Sequence, residues 1–236
     1  MSRAVEKAIA FFKDTREPYA LLWLNVIYRR FGVSEFADAL QRYDQLIAEK
    51  PEQAPLLRVF RRIAVYDNRL QAGDLQAVTA EVDLITVPAL YCDRSGLPDN
   101  YTATLAKAVS RGEYMLTHAL LAVIWVCENG CEGKLPKDFI ESVYCANAAL
   151  INDDQMVNDL ELEAAAFLYL AGQGARVDYA FIERVIAVQN DDGGWSYSSD
   201  SPGESNWHSS ILGLLLLLHV KFPSDSYPTM LAPPYP

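Results

Sequence analysis

The chain has 236 residues, of which 51% are hydrophobic and 22% are charged, and its formal net charge is −11 at pH 7. This balance is typical of a globular protein and excludes the disordered class. A chain this acidic would repel nucleic acid and an anionic membrane surface. We therefore expect a small-molecule substrate or a metal cation as the partner, while the sequence carries no signal for an oligomeric state.

Apolar residues recur at intervals of three and four along nearly the whole chain, which predicts amphipathic helices. In chain order, helices are expected at 3–13, 18–31, 34–49, 55–70, 74–86, 100–110, 113–128, 137–150, 156–171, 178–189 and 207–220. Glycines, prolines and short polar stretches separate them, and no linker interrupts the pattern. The sequence thus predicts one all-α domain over 1–236, in which the Pro- and Tyr-rich segment 221–236 is an extended surface tail.

The first residues, MSRAVEKAIAFFKD, contain no long apolar core and no small-residue cleavage site, so no signal peptide is expected. The longest apolar run, ILGLLLLLHV, is too short to span a bilayer and is expected to form a core helix. Four cysteines match no zinc motif and are expected to be free buried thiols: Cys92, Cys127, Cys131 and Cys145. These features together predict a cytoplasmic protein.

Two other groups of residues have ordinary structural interpretations. Arg29–Arg30 and Arg61–Arg62 are expected to lie on solvated helix faces. The stretch Tyr91–Asp93 is expected in a surface loop.

Three segments align without gaps, and their first residues are 45 positions apart: they begin at His118, Glu163 and His208. A period of this size corresponds to one helical hairpin. Stacked hairpins form a ring or a solenoid, and the chain is long enough for about five to six of them.

The stretch QNDDGGW ends one predicted helix and precedes the third repeat. The Gln189 amide can satisfy backbone groups left unpaired at a helix end. Gly193 and Gly194 permit a sharp reversal of the chain, and Trp195 can bury a large ring between hairpins. This turn resembles the QW-type turn of the α/α toroid superfamily, which includes terpenoid cyclases and the β subunits of protein prenyltransferases.

The resemblance implies an α/α toroid with a site inside the ring. In prenyltransferase β subunits an inner helix opens with a histidine that contacts diphosphate, and His118 matches it. The zinc-binding Asp-x-Cys pair is matched by Glu161-Leu162-Glu163, and the third zinc ligand is matched by His208. Since carboxylates replace the thiolate and the preceding segment 152–159 is acidic, prenyl transfer is not expected.

Equivalent positions on consecutive inner helices of a toroid lie at one height, so His118, Glu163 and His208 are expected to converge. Two imidazoles and a carboxylate suit zinc, iron or manganese. For the carboxylate, Glu163 is preferred over Glu161 and Asp159, since Asp159 and Glu163 share a helix face that Glu161 does not. Tyr114, Asp159 and Glu161 are the candidates for moving protons.

Three functions follow from this pattern. The first is a metal-dependent enzyme acting on a small, largely apolar molecule in the central lumen, by hydrolysis, elimination, cyclisation or oxidation. The second is a metal-free, acid-catalysed terpenoid-type cyclase or isomerase, which requires a raised pKa on Glu163 or Asp159. The third is a non-catalytic toroid that binds a small molecule or a peptide.

Overall fold

The computed structural model describes residues 1–152, 155–200 and 203–233, and within these ranges it contains α-helices and no strand beyond two isolated bridges. The predicted all-α class is therefore confirmed. The helices are α1 Ser2–Phe11, α2 Pro18–Phe31, α3 Ala39–Glu49, α4 Ala54–Phe60, α5 Glu81–Leu90, α6 Cys92–Ser95, α7 Tyr101–Arg111, α8 Glu113–Glu128, α9 Lys137–Ala148, α10 Asp159–Leu170, α11 Tyr179–Ala187 and α12 Trp207–Lys221.

Four helices, α5, α8, α10 and α12, start at the same end of the molecule. Arg111, which precedes α8, forms a 2.8 Å ion pair with Glu81, the first residue of α5. Tyr114 near the start of α8 donates to Asp159, the first residue of α10. His208 near the start of α12 contacts the same carboxylate. Helices α5, α8, α10 and α12 are therefore parallel neighbours in that order.

The opposite end of the molecule shows the same alignment and adds α2. Asn129, just after α8, donates through its amide to the backbone oxygen of Ala89 near the end of α5. Arg30, near the end of α2, donates to Nε2 of His219 near the end of α12. Helix α2 is therefore parallel to α12 and packs on it. Other helices flank this group, with α7 and α9 against α8, α1 against α12 and α3 against α2.

The interior is filled with apolar side chains. Helices α8, α10 and α12 are buried on nearly all sides, and the leucine run 214–218 is fully buried as predicted. The rings of Trp23 in α2 and Phe167 in α10 stack with centroids 5.8 Å apart. The stack brings α2 and α10 into contact although α12 lies between them in the packing order.

The predicted helix 74–86 is wrong at its start. The chain makes a short 3-10 turn at Asp74–Ala77, and α5 begins only at Glu81. The buried Asp74 carboxylate accepts hydrogen bonds from Arg58 and from the backbone N–H of Gln71, which holds this segment as a separate turn. The expected loop at Tyr91–Asp93 likewise leads into the single-turn helix α6.

Two expectations about the cysteines are corrected. Cys92 and Cys131 form a disulfide that joins α6 to the segment after α8, and the free thiols Cys127 and Cys145 are exposed. The sequence could not show this pair, because bonding depends on a Cα–Cα approach, here 6.4 Å, across 39 positions. Since disulfides are typical of oxidising compartments, the cysteines no longer support a reducing cytosol. The cytoplasmic location stays a prediction.

The arginines predicted on solvated faces are partly or wholly enclosed. Arg62 is fully buried and donates to the side chains of Asp93 and Asn129, each at 3.1 Å. Arg29 and Arg30 are part-buried and donate to backbone oxygens of the C-terminal segment. These side chains are enclosed because their hydrogen-bond partners come from segments distant in the chain, which the local sequence pattern cannot reveal.

The C-terminal segment is helical as far as Lys221 and has no helix over 222–233. This segment was predicted to lie on the surface, but two of its residues, Met230 and Leu231, are buried. Their backbone N–H groups donate to Glu128 at 2.7 and 2.9 Å, and Met230 Sδ accepts from the indole N–H of Trp125. Residues 234–236 of the predicted tail lie outside the described residues. No helix among the described residues is long and apolar enough to cross a membrane.

Candidate functional site

The candidate site lies where α8, α10 and α12 begin. Asn158 caps α10 by accepting from the Glu161 N–H, which fixes Asp159 as the first helical residue. Asn206 caps α12 by accepting from the backbone N–H groups of His208 and Ser209. Since both caps are short polar side chains typical of helix starts, local chemistry fixes where the functional side chains emerge.

Asp159 is the centre of a hydrogen-bond network. Its carboxylate, almost fully buried, accepts from Tyr114 Oη at 2.7 Å and from Ser209 Oγ at 2.6 Å. Nδ1 of His208 lies 2.9 Å from Asp159 Oδ2 and 3.0 Å from Oδ1. The Tyr114 hydroxyl is also 2.8 Å from the Tyr197 hydroxyl. Asp159 thus orients His208 and is joined through two tyrosines to the surface.

Glu163 is buried one helical turn deeper and is poorly satisfied. Neither carboxylate oxygen accepts a well-formed hydrogen bond from the described residues, although the residue is only 1% exposed and the Thr117 side chain lies close enough to lower its pKa. Its Oε1 lies 3.4 Å from Nδ1 of His118. That nitrogen is 2.9 Å from the backbone oxygen of Tyr114, to which it donates in the neutral tautomer that this contact favours. Nε2 of His118 then carries the free lone pair.

The four titratable groups have displaced pKa values. Burial raises the pKa of Glu163 to about 8 and lowers the pKa of His118 to about 4. Burial alone would raise the pKa of Asp159, but hydrogen bonds from His208, Ser209 and Tyr114 bring it below its ordinary value. Burial opposes the charged form of His208, yet Asp159 and Glu163 raise its pKa. Near neutral pH the site therefore combines an ionised Asp159 with a protonated Glu163.

The repeat register accounts for this convergence. Tyr114 and Asp159 are 45 positions apart and hydrogen-bonded, and His118 and Glu163, also 45 apart, are in contact. The three predicted ligands His118, Glu163 and His208 do not form one group of ligand atoms: His118 contacts Glu163, whereas the group that converges contains Asp159 in place of His118. Potential metal-ligating atoms of Asp159, Glu163 and His208 all lie within 4.8 Å of one another.

These residues fit a divalent cation. A buried carboxylate whose oxygens accept no well-formed hydrogen bond needs a positive partner or a proton. Carboxylate oxygen and imidazole nitrogen together suit zinc, iron or manganese. With Nδ1 of His208 held by Asp159, its Nε2 is the nitrogen available to an ion. His118 lies beside the three-residue group, as its contact with Glu163 shows.

Glu161, predicted to move protons, instead caps the start of α10. Its carboxylate accepts from the backbone N–H groups of Asn158 and Asn152, at 3.1 and 3.0 Å, and completes a capping box with the Asn158 side chain. Helix geometry turns it away from Glu163, two positions later. We therefore assign Glu161 to the helix cap. Asp153 and Asp154 of the acidic segment lie outside the described residues.

The glycine turn holds the neighbouring loop in place, as the sequence predicts. Nε2 of Gln189 donates to the backbone oxygens of Ala4 and Gly193, both at 2.9 Å. Gly193 has φ +96°, and a Cβ there would lie 2.2 Å from the Lys7 backbone oxygen. Trp195 is buried and donates from its indole to the Val185 oxygen at 2.7 Å.

The loop after this turn brings Tyr197 over the site. The backbone N–H of Asp159 donates to the Tyr197 oxygen at 2.9 Å, and the Ser199 N–H donates to the Val157 oxygen at 2.9 Å. Sequence reasoning missed Tyr197 and Ser209. Ser209 directly follows His208, so its place near the site could have been predicted from the sequence. Tyr197 is distant in the chain from the other site residues, and only the folded loop reveals its position.

Comparison of the chain with protein-family models, with curated proteins and with solved structures finds no match.

Proposed function

We propose that the chain is a divalent-metal-dependent enzyme of the α/α toroid type, acting on a small, largely apolar molecule at the end of the ring where α8, α10 and α12 begin. The single observation that carries the proposal is Glu163, an enclosed carboxylate to which no described residue donates a well-formed hydrogen bond, beside Asp159 and His208. Hydrolysis, elimination, cyclisation and oxidation are the reaction types such a site can serve.

The order in which the helices pack against one another supports a ring of helices, as in an α/α toroid. The parallel helices α5, α8, α10 and α12 are consecutive neighbours, and α12 packs on α2. The charge of Asp83 in α5 contributes to raising the pKa of Tyr19 at the start of α2, behind the larger effect of burial, so α2 and α5 also start near each other. The Trp23–Phe167 stack joins α2 to α10 further along these helices, so a substrate would enter at the end where the helices start.

The chain's own groups supply proton transfer at this end. The half-exposed Tyr197 hydroxyl, the Tyr114 hydroxyl and Asp159 Oδ2 form a continuous path from the surface to the buried carboxylate. The pKa of Tyr114 is raised, first by burial and then by these hydrogen bonds, so its hydroxyl keeps its proton and donates it. His208 can accept or release a proton at Nε2 while Asp159 holds Nδ1.

Asp159, Glu163 and His208 would hold the ion, with His118 as a neighbour that can join them through Nε2. A bound divalent cation would supply Lewis acidity or lower the pKa of a bound water. The N-terminal ends of three helices meet here, and the positive ends of their dipoles favour anionic groups, including carboxylate ligands.

Metal content tests this proposal. Tag-free protein, supplemented with zinc, iron and manganese in turn and then dialysed, should retain about one ion per chain by mass spectrometry. Glu163→Gln should weaken retention by ~10- to 100-fold, because the amide cannot supply the anionic oxygen. Glu113→Gln, which neutralises an exposed carboxylate at the start of α8, is the matched control and should retain the ion. Loss of binding in both variants, or no ion in the parent protein, contradicts the proposal.

One observation favours a second candidate, the metal-free acid-catalysed cyclase or isomerase. Burial raises the pKa of Glu163 to about 8, so without a cation its carboxyl group is protonated at neutral pH and can act as a general acid. Carbon-13 NMR of glutamate-labelled protein separates the two candidates. A Glu163 resonance that titrates near pH 8 and does not respond to added zinc, iron or manganese supports the acid, whereas a response to one of these ions at about one equivalent supports the metal site.

A further inference from the structure

A second concave site lies at the opposite end of the helix group. It is a pocket of about 800 Å³ between the end of α5, the 3-10 turn after Gly73 and the segment that follows α6. This volume is within the range of small-molecule sites. Its apolar walls are formed by Leu70, Leu75, Val87, Pro88, Leu97 and Pro98.

The apolar surface of this pocket reaches solvent. Leu75 is 51% exposed at its edge, and Leu84, one helical turn before Val87 and Pro88, is 54% exposed. Large exposed apolar side chains grouped around a concavity mark a binding surface more often than isolated ones do.

Two arginines, Arg69 and Arg94, line the same pocket. Arg69 is exposed and forms no ion pair with any described residue. Arg94 donates to the backbone oxygens of Asn68 and Tyr66, which satisfies its N–H groups without neutralising it.

Two nearby carboxylates are already paired with other arginines, while Asp67 lines a neighbouring cleft that Arg69 also borders. Asp74 is paired with Arg58 at 2.7 Å, and Asp93 is paired with Arg62 at 3.1 Å. In a chain with a net charge of −11, a pocket with two positive charges and apolar walls selects for an anion with a hydrocarbon portion.

The wall of the pocket is also held in advance of binding. Tyr91, which lines it, donates to the Val59 backbone oxygen at 2.8 Å. The next residue, Cys92, is tied to Cys131 by the disulfide. A preformed wall reduces the ordering cost of binding.

We propose that this pocket binds an amphiphilic anion, a small molecule with an alkyl chain and a carboxylate, the chain on Leu75, Val87 and Leu97 and the carboxylate at Arg69 and Arg94. This site is separate from the candidate metal site, because it lies where α5 ends whereas the other lies where α8, α10 and α12 begin.

Calorimetric titration with decanoate, 1-decanol and decylammonium tests the proposal. Decanoate should bind at one molecule per chain, ~10-fold or more tighter than 1-decanol, and decylammonium should bind most weakly. Arg69→Glu should weaken decanoate binding by ~10-fold or more and leave 1-decanol binding unchanged. Arg3→Glu makes the same change of charge at an exposed position in α1 and should leave both affinities unchanged.

A second variant probes the apolar wall. Leu75→Asp should abolish binding of decanoate and of 1-decanol, and circular dichroism should show an unchanged fold since Leu75 is half-exposed. Equal affinity for the anion and the alcohol, preference for the cation, or no binding would overturn the proposal. So would a dimer in sedimentation velocity that Leu75→Asp converts to a monomer, because the pocket would then serve a second copy of the chain.

Discussion

At the scale of single residues, the turn from Gln189 to Trp195 shows how a few atoms fix a reversal of the chain direction. Gly193 has a left-handed φ and lies against the backbone of α1, while Gly194 and Gly213 have no room for a Cβ beside Ser205 and Trp195. The turn therefore joins the N-terminal helix to the start of α12, and the site at that start depends on it.

Gly193→Ala should destabilise the protein by about 2–4 kcal/mol, since the new Cβ requires both a strained φ and movement of the Lys7 backbone. Urea denaturation measures the change in the free energy of unfolding. Gly133→Ala, at a glycine with an ordinary φ and nothing within 4 Å of the new Cβ, is the control and should change stability by less than about 1 kcal/mol. Equal effects of the two substitutions would contradict this account.

The residues that sequence reasoning placed well are those whose roles are local or periodic. The turn from Gln189 to Trp195 needs only backbone chemistry, and the register of the repeat brings His118 to Glu163. The role of Glu161 is harder to predict from the sequence, because a carboxylate in the first turn of a helix serves equally as a cap or as a site residue. The burial of Arg62 could not be foreseen, since its partners come from segments distant in the chain.

At the scale of elements, the contact between the ends of α2 and α12 depends on one neutral histidine. His219 is buried, accepts from Arg30 Nε at 3.0 Å, and its Nδ1 is 2.8 Å from the Leu215 backbone oxygen. Phe31 packs against its ring edge-on, with centroids 4.9 Å apart. Burial, and then the charge of Arg30, lower the pKa of His219 to about 3.

This lowered pKa makes stability depend on pH. The unfolded chain takes up a proton at His219 near its ordinary pKa of 6.5, whereas the folded chain does so only near 3. The contribution of His219 to stability is thus fully present above pH 6.5 and is lost as the pH falls toward 3. At pH 5 the loss amounts to about 2 kcal/mol. His219→Gln should remove this part of the pH dependence.

Urea denaturation of both proteins at pH 7 and pH 5 measures the effect. Groups common to the two proteins cancel in the difference, so the parent should lose about 2 kcal/mol more than His219→Gln between these pH values. Parallel loss in the two proteins would show that His219 is not held neutral.

At the scale of the whole molecule, the Cys92–Cys131 disulfide closes a loop that contains α7 and α8. The loop spans 39 positions, and cross-linking it restricts the unfolded chain far more than the folded one. The bond also keeps Asp93 and Asn129 beside the buried Arg62.

Reduction of the disulfide should therefore lower the free energy of unfolding by about 4 kcal/mol. Urea denaturation with and without dithiothreitol measures this in a Cys127→Ser, Cys145→Ser background, which prevents thiol exchange. The matched control is the same background with Cys92→Ser and Cys131→Ser, whose stability should not respond to the reductant. An unchanged unfolding midpoint on reduction would contradict the prediction.

The parallel direction of α2, α5, α8, α10 and α12 gives this group of helices an electrical polarity. Their peptide dipoles point the same way, with the positive ends where the helices start. Acidic residues collect at that end, as Glu81, Glu113 and Asp159 do, while Arg29, Arg30 and Lys221 lie in last turns at the other. These side-chain charges oppose the summed dipole of the five parallel helices, so reversing a charge at either end alters the balance between them and, with it, the orientation in which charged molecules approach.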